Sequence, residues 1–394
     1  MGLTVAIEAA RSNNRVIGFD NDLQVVKNLN NGISNVPGIQ KDEIVRLIKI
    51  GQYTPTNNNE LLESAEVVII AVPTPLDFAR KPDLSYLESA AKMIGLYASN
   101  NTLVVNESTS YPGTLRNFIK PTIEKISSKK FLYAAAPERV DPGNPKWNLK
   151  NTPRVIAGLT DQATNMAISC YSSFCDEIYK APSVDIAEAS KLFENTYRQV
   201  NIALVNEFSE IANSLGFSTS EAVKAANTKP FGFNAFYPGI GVGGHCIPVD
   251  PSYLSYAAEL SGIKTKFIDL ANETNLSAHI KVAARIKNYM QGNLEGIRIQ
   301  IAGIAYKPNV SDIRESPALL LINELKNMGA KVSWHDPIVK TLDGIKSEPL
   351  STAIDLGLIV TPHDAIDFGI WRKSDVKILD LSASEKTYGW TKFL

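Results

Sequence analysis

The residues best suited to covalent chemistry lie in a glycine-rich stretch near the middle of the chain. Four glycines fall within residues 239–244, Cys246 follows them, and a carboxylate, Asp250, comes four residues after the thiol. Glycines let backbone amides approach a ligand closely, which suits a phosphate group. Because the loop presents a thiol beside such a cradle, we interpret Cys246 as a nucleophile rather than as a buried structural thiol.

The other thiols and the histidines are weaker candidates. His245 could be a general base or a metal ligand, but the chain has only four histidines and no HxxxH or HxH pair, so we interpret it as a loop-packing residue and predict no metal site. Cys170 and Cys175 lie in an amphipathic stretch with Tyr171 and Phe174, which favours core packing for both thiols. Three dispersed cysteines form neither a disulfide framework nor a CxxC zinc motif.

A cation and an amide lie one turn apart in a stretch with helical periodicity. Lys191 and Asn195 are separated by four positions and therefore project from one helix face. Apolar neighbours at Ala189, Leu192 and Phe193 predict a partly buried ammonium, suited to stabilising an oxyanion or to acid–base chemistry. A solvated polar face is the alternative interpretation.

Three predicted loops carry polar residues at the points where strands end. Thr74 lies in Val-Pro-Thr-Pro, Thr109 lies in Asn-Glu-Ser-Thr, and Glu138 and Arg139 lie in Ala-Pro-Glu-Arg. In a doubly wound sheet the carboxyl ends of the strands line the ligand crevice, so Thr74 and Thr109 are predicted near a bound cofactor, with Glu138 and Arg139 at the same edge. Ordinary turns are the alternative.

The start of the chain has the second half of a dinucleotide-binding fingerprint. A predicted helix leads into a strand that ends at Asp20, about 18 residues after Gly2. An acid at this point accepts a hydrogen bond from a ribose hydroxyl, which favours NAD over NADP. Only Gly2 could stand for the third glycine of GxGxxG, because the first strand and the first two glycines are not in the sequence. Alternatively, Asp20 only begins a turn.

Alternating helices and β-branched runs must position these residues. Strands are predicted at 15–20, 67–72, 102–106, 131–135 and 154–158 in the first part of the chain. The same rhythm returns at 297–303, 331–335, 356–361 and 376–380. Strands that alternate with helices indicate βαβ crossovers, mainly parallel sheets and nucleotide-binding α/β units.

One long helix is predicted between the two α/β units. Residues 183–215 contain neither glycine nor proline, and their apolar residues recur at helical spacing. This helix is our candidate for a homodimer element. We predict an NAD-binding domain at 1–180, a central helical dimerisation domain with the cysteine loop at 181–290, and a C-terminal α/β domain at 291–394.

Composition excludes several classes of function. The 394 residues include 40 basic and 41 acidic side chains, so no net field favours nucleic acid or an anionic membrane surface. The longest apolar runs are strand-sized, and the first residues show no secretory signal. We therefore expect a cytoplasmic protein.

Taken in order along the chain, the motifs resemble the UDP-glucose/GDP-mannose dehydrogenase family over essentially the whole length. They are Val-Pro-Thr-Pro, Glu-Ser-Thr, Pro-Glu, Lys-Leu-Phe-Glu-Asn, Gly-Gly-His-Cys-Ile-Pro-Val-Asp and Ala-Tyr-Lys-Pro-Asn-Val-Ser-Asp-Ile-Arg-Glu-Ser-Pro. Within the family, Asn-Glu-Ser-Thr-Ser-Tyr-Pro-Gly-Thr and Pro-Glu-Arg-Val-Asp-Pro-Gly-Asn look most like the branch that acts on UDP-N-acetylglucosamine. UDP-N-acetylmannosamine and UDP-glucose are the alternative substrates.

The resemblance implies an α/β fold in which two Rossmann-like doubly wound domains are joined by a helical central domain with a long connecting helix. It also implies an NAD-dependent, four-electron oxidation of the sugar C6 alcohol that consumes two NAD. Cys246 would attack the aldehyde to give a thiohemiacetal, a second hydride transfer would leave a thioester, and water would release the uronic acid. The expected destination of the product is an envelope or capsular polysaccharide.

The resemblance also assigns roles to individual residues. Lys191 and Asn195 would stabilise the oxygen that becomes negative, Asp250 with Thr109 would hold a water and assist proton removal, and Glu138 would activate water for thioester hydrolysis. The residues implied to bind NAD are Gly2, Asp20, Val72, Pro73, Thr74, Thr109 and Arg314. The residues implied to bind the UDP-sugar are Glu138, Arg139, Val140, Lys191, Asn195, Tyr237, Gly243, Gly244 and Lys307.

The sequence departs from the family pattern at its start, where the first strand of the sheet is missing. That strand would be the central one, so its loss would expose two strand edges and remove the pyrophosphate cradle. A start codon assigned too late, an inactive truncated chain, and a site completed in another way are the three explanations, and we favour the first. A catalytically silent nucleotide-sugar-binding protein is therefore the main functional rival. A two-electron alcohol dehydrogenase is disfavoured, since it would need no cysteine in a glycine loop.

Overall fold

The computed structural model of the chain describes residues 2–34, 36, 38–141, 144–387 and 389–394. The chain divides into two compact units. The first comprises the residues up to Glu194 together with 252–262, and the second comprises 195–251 and 263–394. None of the helices in these described ranges has the length and apolar character of a membrane span. The three-domain division at residues 180 and 290 stays a prediction.

The first unit contains seven strands and six helices that lie wholly within it, among the residues described. The strands are β1 (Val16–Phe19), β2 (Tyr53–Thr56), β3 (Val67–Ile70), β4 (Leu103–Asn106), β5 (Leu132–Ala135), β6 (Arg154–Gly158) and β7 (Ile178–Lys180). The helices are α1 (Gly2–Arg11), α2 (Leu23–Asn30), α3 (Lys41–Lys49), α4 (Ser85–Tyr97), α5 (Lys120–Ile126) and α6 (Asp161–Tyr171). A short 3₁₀ helix, Asn59–Ser64, and a π-helical turn, Leu115–Ile119, complete the unit.

The strands of the first unit form two separate sheets. Five strands are ordered β3-β4-β5-β6-β7, and β1 pairs in parallel with β2. In the described part of the chain no strand bridges β1 and β3, which is where the central first strand of a doubly wound sheet belongs. The sheet therefore has the gap that the sequence predicts.

The five-stranded sheet is mixed, because β6 and β7, which are parallel to each other, run opposite to the other three strands. β3, β4 and β5 are mutually parallel, whereas β6 is antiparallel to β5. The connection between β5 and β6 contains no α-helix in its described residues, and an antiparallel pair needs no helical crossover. The register places Ile70, Asn106 and Ala135 side by side, so the loops after these strands emerge at one edge.

The core of this unit lies on both faces of β4. Leu103 and Val105 pack in a cluster with α6 residues, while Val104 packs on the opposite face against α4 and α5. All four residues of the strand are buried. Burial on both faces explains why these strands appear in the sequence as continuous apolar runs rather than as alternating ones.

The second unit is built on a parallel five-stranded sheet, ordered β14-β13-β12-β8-β9. Its strands are β8 (Arg298–Ala302), β9 (Lys331–His335), β12 (Leu356–Ile359), β13 (Lys377–Asp380) and β14 (Thr391–Lys392), and a small hairpin is formed by β10 (Thr341–Leu342) and β11 (Ile345–Lys346). Its helices are α8 (Thr219–Ala226), α10 (Lys266–Tyr289), α11 (Pro317–Asn327) and α12 (Gly369–Arg372), and Glu385–Thr387 forms a 3₁₀ turn.

Two helices pass from one unit into the other. The predicted long helix is α7 (Val184–Leu215), 32 residues long, and the unit boundary falls between Glu194 and Asn195. Helix α9 (Asp250–Leu260) begins in the second unit and continues in the first. Lys191 therefore belongs to the first unit, whereas Asn195, one turn further along α7, is the first residue of the second.

Candidate active site

In the first unit, Thr109 and Lys191 form a buried hydrogen-bonded pair. Thr109 follows β4, Lys191 lies in α7, and the ammonium Nζ donates to the threonine Oγ1 at 2.7 Å. Each residue is only 7% exposed. Lys191 is thus more deeply buried than the sequence predicts, and a desolvated ammonium of this kind is suited to stabilising negative charge on a neighbouring oxygen.

A carboxylate that the sequence interpretation missed supports this pair. Glu188, one turn before Lys191 on α7, accepts from the backbone amides of Gly113 at 2.7 Å and Leu115 at 2.9 Å. Burial raises the pKa of Glu188 to about 7, although these amides and the Ser110 hydroxyl act to lower it. Glu188 therefore fastens the segment after Thr109 to the helix that carries Lys191.

Glu138 lies at the same sheet edge, just after β5. It is 6% exposed, and one of its carboxylate oxygens accepts a short hydrogen bond from the backbone amide of Val140. Burial raises its pKa, while the charges of Lys191 and Arg154 oppose the rise. A carboxylate whose pKa is shifted towards neutrality can take a proton from water, which is the role predicted for Glu138.

Arg154 supports the Glu138 loop and was also missed. Its Nη1 donates to the carbonyls of Ala136 at 3.3 Å and Pro137 at 3.2 Å, directly before Glu138. Glu107 lies 3.7 Å from the same nitrogen, and the Tyr171 hydroxyl donates to Glu107 at 2.5 Å. These buried charges fix the backbone from which Glu138 projects.

Arg139 is engaged within the protein. Its guanidinium contacts Glu194 as a fork, with Nη2 2.6 Å from Oε1 and Nε 3.1 Å from Oε2. Its third nitrogen, Nη1, donates to the Pro153 carbonyl at 2.9 Å. Arg139 is predicted to bind the substrate. To do so, its guanidinium would have to give up one of these protein partners. Pro142 and Gly143, which belong to the motif that contains Arg139, lie outside the described residues.

The segment predicted to contact the cofactor is tied to the loop after β4. The Ser108 hydroxyl accepts from the backbone nitrogen of Val72 and donates to its carbonyl, both at 2.9 Å. Pro73 directly follows Val72 in the chain, and the next residue, Thr74, is 2% exposed. The hydroxyl thus fixes the start of the Val-Pro-Thr-Pro segment.

The first unit also has residues that fit a dinucleotide. Helix α1 begins at Gly2, where a Cβ atom would lie 3.3 Å from the Cβ of Ala71 just after β3, so the amide-bearing helix start lies at the carboxyl end of that strand. Asp20 follows β1 and caps the next turn by accepting from the Asp22 amide at 2.9 Å. These positions are those expected for a dinucleotide site, and the roles of Gly2 at the pyrophosphate and Asp20 at a ribose stay predictions.

In the second unit, the glycine loop lies directly on the Tyr306 side chain. A Cβ atom on Gly243 would come within 2.7 Å of the tyrosine Cβ, and one on Gly244 within 2.8 Å of its ring. Gly244 also has a φ of +83° and donates its amide to the Arg314 carbonyl at 3.0 Å. Only glycine fits both positions, since the backbone approach leaves no room for a side chain.

Cys246 is held in an exposed position by the start of α9. Its carbonyl accepts from the amides of Val249 at 3.1 Å and Asp250 at 2.8 Å, and the thiol side chain is exposed. The Arg314 guanidinium lies near enough to Cys246 for an electrostatic interaction. Exposure leaves the thiol accessible to an electrophile, and the nucleophilic form of cysteine is the thiolate.

Asn195 and Asp250 form a second buried pair in this unit. The amide Nδ2 of Asn195 donates to the Asp250 Oδ2 at 2.6 Å. Asp250 is fully buried and Asn195 is 9% exposed. The pair connects α7 to the first residue of α9, four residues after Cys246.

Of the remaining predicted binding residues, Tyr237 lies just before the glycine loop, whereas Lys307 and Arg314 follow it much later in the sequence. Tyr237 and Lys307 are half-buried. Arg314 forms a fork with Asp312, with Nη2 2.6 Å from Oδ2, so a phosphate would have to replace this carboxylate. Burial acts to raise the pKa of Asp312, but the Arg314 contacts and the charge of His245 lower it, which places His245 as a loop residue near Asp312.

The two other cysteines are core residues, as predicted. Cys175 is 5% exposed and Cys170 is partly buried against the same cluster. Burial raises the pKa of both thiols, that of Cys170 to about 11. Neither thiol has the exposure or the thiolate character of a nucleophile.

Known proteins match the chain along nearly its whole length. Residues 1–181 match the NAD-binding domain of the UDP-glucose/GDP-mannose dehydrogenase family, residues 185–277 its central domain and residues 300–378 its UDP-binding domain. The UDP-N-acetyl-D-mannosamine dehydrogenase of Pyrococcus horikoshii is 34% identical over 92% of this chain and 87% of its own length. The UDP-N-acetyl-D-glucosamine 6-dehydrogenase of Pseudomonas aeruginosa is 32% identical over 88% of this chain and 82% of its own length.

A solved structure agrees with these relatives. The structure of a UDP-D-ManNAc dehydrogenase from Pyrococcus horikoshii superposes with a TM-score of 0.85 at 31% identity, covering 98% of this chain and 95% of that chain. The predicted α/β architecture, with two Rossmann-like units joined through a helical centre, is confirmed, and NAD is the cofactor of the first domain. The chain belongs to the UDP-glucose/GDP-mannose dehydrogenase family, whose members are NAD-dependent oxidoreductases.

Proposed function

We propose that the chain oxidises the C6 alcohol of a UDP-N-acetylhexosamine to the uronic acid, with two NAD consumed per sugar and Cys246 as the covalent nucleophile. The observation that carries this proposal is the exposed Cys246, which follows a glycine loop whose Gly243 and Gly244 leave no room for side chains. Relatives named as UDP-N-acetylglucosamine and UDP-N-acetylmannosamine dehydrogenases support the substrate class. UDP-N-acetylglucosamine is our first choice.

The first oxidation needs a proton acceptor and donors for the developing oxyanion. Asp250 assists removal of the hydroxyl proton through a water, which Thr109 helps to hold. Lys191 and Asn195 donate to the sugar oxygen as it becomes negative, and preorganised donors of this kind can contribute about 3 kcal/mol each to the transition state. NAD, when bound, supplies the hydride acceptor for each oxidation.

The second half of the reaction takes place on the cysteine. The Cys246 thiolate attacks the C6 aldehyde and forms a thiohemiacetal, whose oxidation leaves a thioester. Glu138 removes a proton from the attacking water, the carbon–sulfur bond breaks, and the thiolate leaves as the carboxylate product forms. The buried pairs on Lys191 and Asn195 keep these donors in place in each step.

The test is a parallel substrate assay. NADH formation is measured with UDP-N-acetylglucosamine, UDP-N-acetylmannosamine and UDP-glucose, each with the wild-type chain. We expect the highest kcat/KM with UDP-N-acetylglucosamine. A higher value with UDP-N-acetylmannosamine would correct the epimer but keep the reaction, whereas turnover of UDP-glucose alone would contradict the proposed substrate class.

The rival function is nucleotide-sugar binding without catalysis. The observation that favours it is the division of the first unit into a two-stranded and a five-stranded sheet. Calorimetric titration with UDP and with NAD separates the two functions. Binding of UDP without binding of NAD, together with no NADH formation from any of the three sugars, would establish the rival.

We also propose that the chain forms a homodimer through α7. Phe193, Leu204 and Leu215 on this helix are between 63% and 70% exposed, and Phe267 at the start of α10 is 80% exposed. Clusters of large exposed apolar side chains mark interaction surfaces. Light scattering should give the dimer mass for the wild type and the monomer mass for Leu204→Glu, while the exposed Glu207→Gln control stays dimeric. A monomeric wild type would contradict the proposal.

A further inference from the structure

The second unit contains a buried acid–imidazole pair that the proposed reaction does not use. The Oδ2 atom of Asp336 lies 3.0 Å from Nε2 of His363, and both side chains are completely buried. Asp336 directly follows β9 and His363 follows β12. The pair therefore joins the carboxyl ends of two strands of the parallel sheet.

Asp336 binds the backbone that follows β8. Its Oδ2 accepts from the amides of Ile304 at 2.9 Å and Ala305 at 3.3 Å, and its Oδ1 accepts from Ile338 and Val339. Burial acts to raise the pKa of Asp336, but His363 and these amides lower it to about 2. The side chain is a carboxylate at neutral pH and accepts all of these bonds.

His363 fastens the other end of the same segment. Its Nδ1 accepts from the Asn309 amide at 2.8 Å, so the ring proton is on Nε2 and is donated to Asp336. The Asn309 side chain accepts in return from the Asp364 amide at 2.9 Å. Residues 304–309 are thus held at both ends by one hydrogen-bonded chain.

The fastened segment carries two residues that matter for the proposed reaction. Lys307 is a predicted UDP-sugar ligand, and Tyr306 is the residue on which Gly243 and Gly244 pack. Gly243 and Gly244 pack so closely on Tyr306 that a Cβ atom at either would collide with it. A shift of the Tyr306 ring towards these glycines therefore displaces the loop that ends at Cys246.

We propose that Asp336 and His363 are positioning residues for the segment from Ile304 to Asn309 and, through Tyr306, for the glycine loop that carries Cys246. They contact neither the thiol nor the nucleotide in this scheme. The functional consequence rests on the proposed function, whereas the positioning itself is measurable without NAD or sugar.

The test uses two variants of the pair that preserve size, a matched control, and one truncation at an exposed position. Asp336→Asn would place an amide group where His363 and two backbone amides already donate, and His363→Phe would remove both ring hydrogen bonds. Asp380→Asn is the matched control, because Asp380 is also buried at a strand end and is ion-paired with Lys392, outside this network. Asn309→Gly, at an exposed position with a φ of +64°, removes only the side-chain acceptor and should fold in any case.

Two readouts follow the position of the segment directly. Hydrogen exchange should accelerate in peptides covering 304–309 for Asp336→Asn, His363→Phe and Asn309→Gly, and not for the control. Alkylation of Cys246 by iodoacetamide, followed by mass spectrometry, should change severalfold in rate in the first two variants and stay at the wild-type rate in the control. Cys170 and Cys175 serve as internal references because Cys175 is buried and Cys170 is partly buried in the core.

The kinetic readout separates positioning from general destabilisation. Displacement of reacting groups by about 1 Å can cost about 100-fold in rate, so kcat should fall by about 10- to 100-fold in Asp336→Asn and His363→Phe. The affinity for UDP should fall together with kcat in these two variants, because Lys307 moves as well. The Asp380→Asn control should keep kcat and UDP affinity even if its melting temperature drops.

Wild-type exchange at 304–309 and a wild-type Cys246 alkylation rate in a folded Asp336→Asn or His363→Phe variant would overturn the proposal. If both of those variants fail to fold, the wild type decides: amides of Ile304, Ala305 and Asn309 that exchange as fast as unprotected amides would overturn it. A wild-type protein that oxidises no sugar would overturn the proposed function alone, since exchange and alkylation would still report the positioning.

Discussion

The Lys191 ammonium donates to the Thr109 hydroxyl at 2.7 Å, and both side chains are almost completely buried. An ammonium on α7 is thus directed by a loop residue that follows a strand of the NAD-binding domain. Since a buried ammonium keeps its orientation only if it has a hydrogen-bond acceptor, Thr109 sets the direction in which Lys191 can donate.

Loss of this ammonium should lower the rate of the chemical step more than it lowers the affinity for the substrate. Lys191→Ala should lower kcat by about 100- to 1,000-fold, the loss seen when one oxyanion donor is removed, with a smaller change in KM. Thr109→Val should give a smaller loss, because the ammonium stays but loses one of the hydrogen bonds that orient it. Steady-state kinetics with Lys180→Ala, an exposed lysine, as the control would check both variants. A Lys191→Ala protein with wild-type kcat would exclude the assigned role.

Glu188 should make folding stability depend on pH. Its pKa is raised from 4.5 to about 7, so the folded state holds the proton more tightly than the unfolded state. The stabilisation is therefore complete below pH 4.5 and is lost as the pH rises through about 7, on the order of 3 kcal/mol in total. Chemical denaturation of the wild type and of Glu188→Gln across this range should show the loss only in the wild type.

The exposed Glu63→Gln variant is the control for Glu188, and it should follow the wild-type pH dependence. Parallel stability curves for the wild type and Glu188→Gln would contradict the account of Glu188 as a buried, titrating carboxyl group.

Glu138→Gln should trap the reaction on the cysteine. Without a base for the water, the thioester should persist, so the variant should release NADH in a burst and then slow by about 100- to 10,000-fold. Intact-protein mass spectrometry should show a covalent uronyl adduct, and the double variant Glu138→Gln/Cys246→Ala should show none. Full turnover by Glu138→Gln would transfer the base role to another residue.

Asn195 and Asp250 should act as one unit. Their side chains are joined at 2.6 Å in a buried site, so removal of either leaves the other without this bond. Asn195→Ala and Asp250→Asn should each lower kcat strongly, and the double variant should lose much less than the sum of the two losses in activation free energy. Additive losses in a double-mutant cycle would show that the two residues act independently.

The fold was largely predictable because buried parallel strands appear as continuous β-branched runs. Strands at 154–158 and 331–335 were predicted with the observed bounds, and the long helix was predicted to within one residue. The missed strand β2 (Tyr53–Thr56) is short, contains Pro55 and alternates between buried and exposed residues. A proline within a short run argues against a strand, and only pairing with β1 overrides that signal.

The supporting charges of the site were not predictable to the same extent. Glu188 could have been found, because Glu188, Lys191 and Asn195 share one face of a helix. Arg154 begins an apolar strand and resembles an ordinary solvent-facing strand end. Its role depends on Glu107, which directly follows β4, and on Tyr171, 64 residues after Glu107. Contacts between distant segments leave no periodicity in the sequence.

The central claim is that Cys246 carries the sugar between two oxidations. The most direct measurement is the number of NADH formed per UDP-N-acetylglucosamine consumed by the wild type and by Cys246→Ala. The account predicts two NADH and one uronic acid per sugar for the wild type, and no completed turnover for the variant. One NADH per sugar with release of an aldehyde, or wild-type stoichiometry and rate in Cys246→Ala, would contradict it.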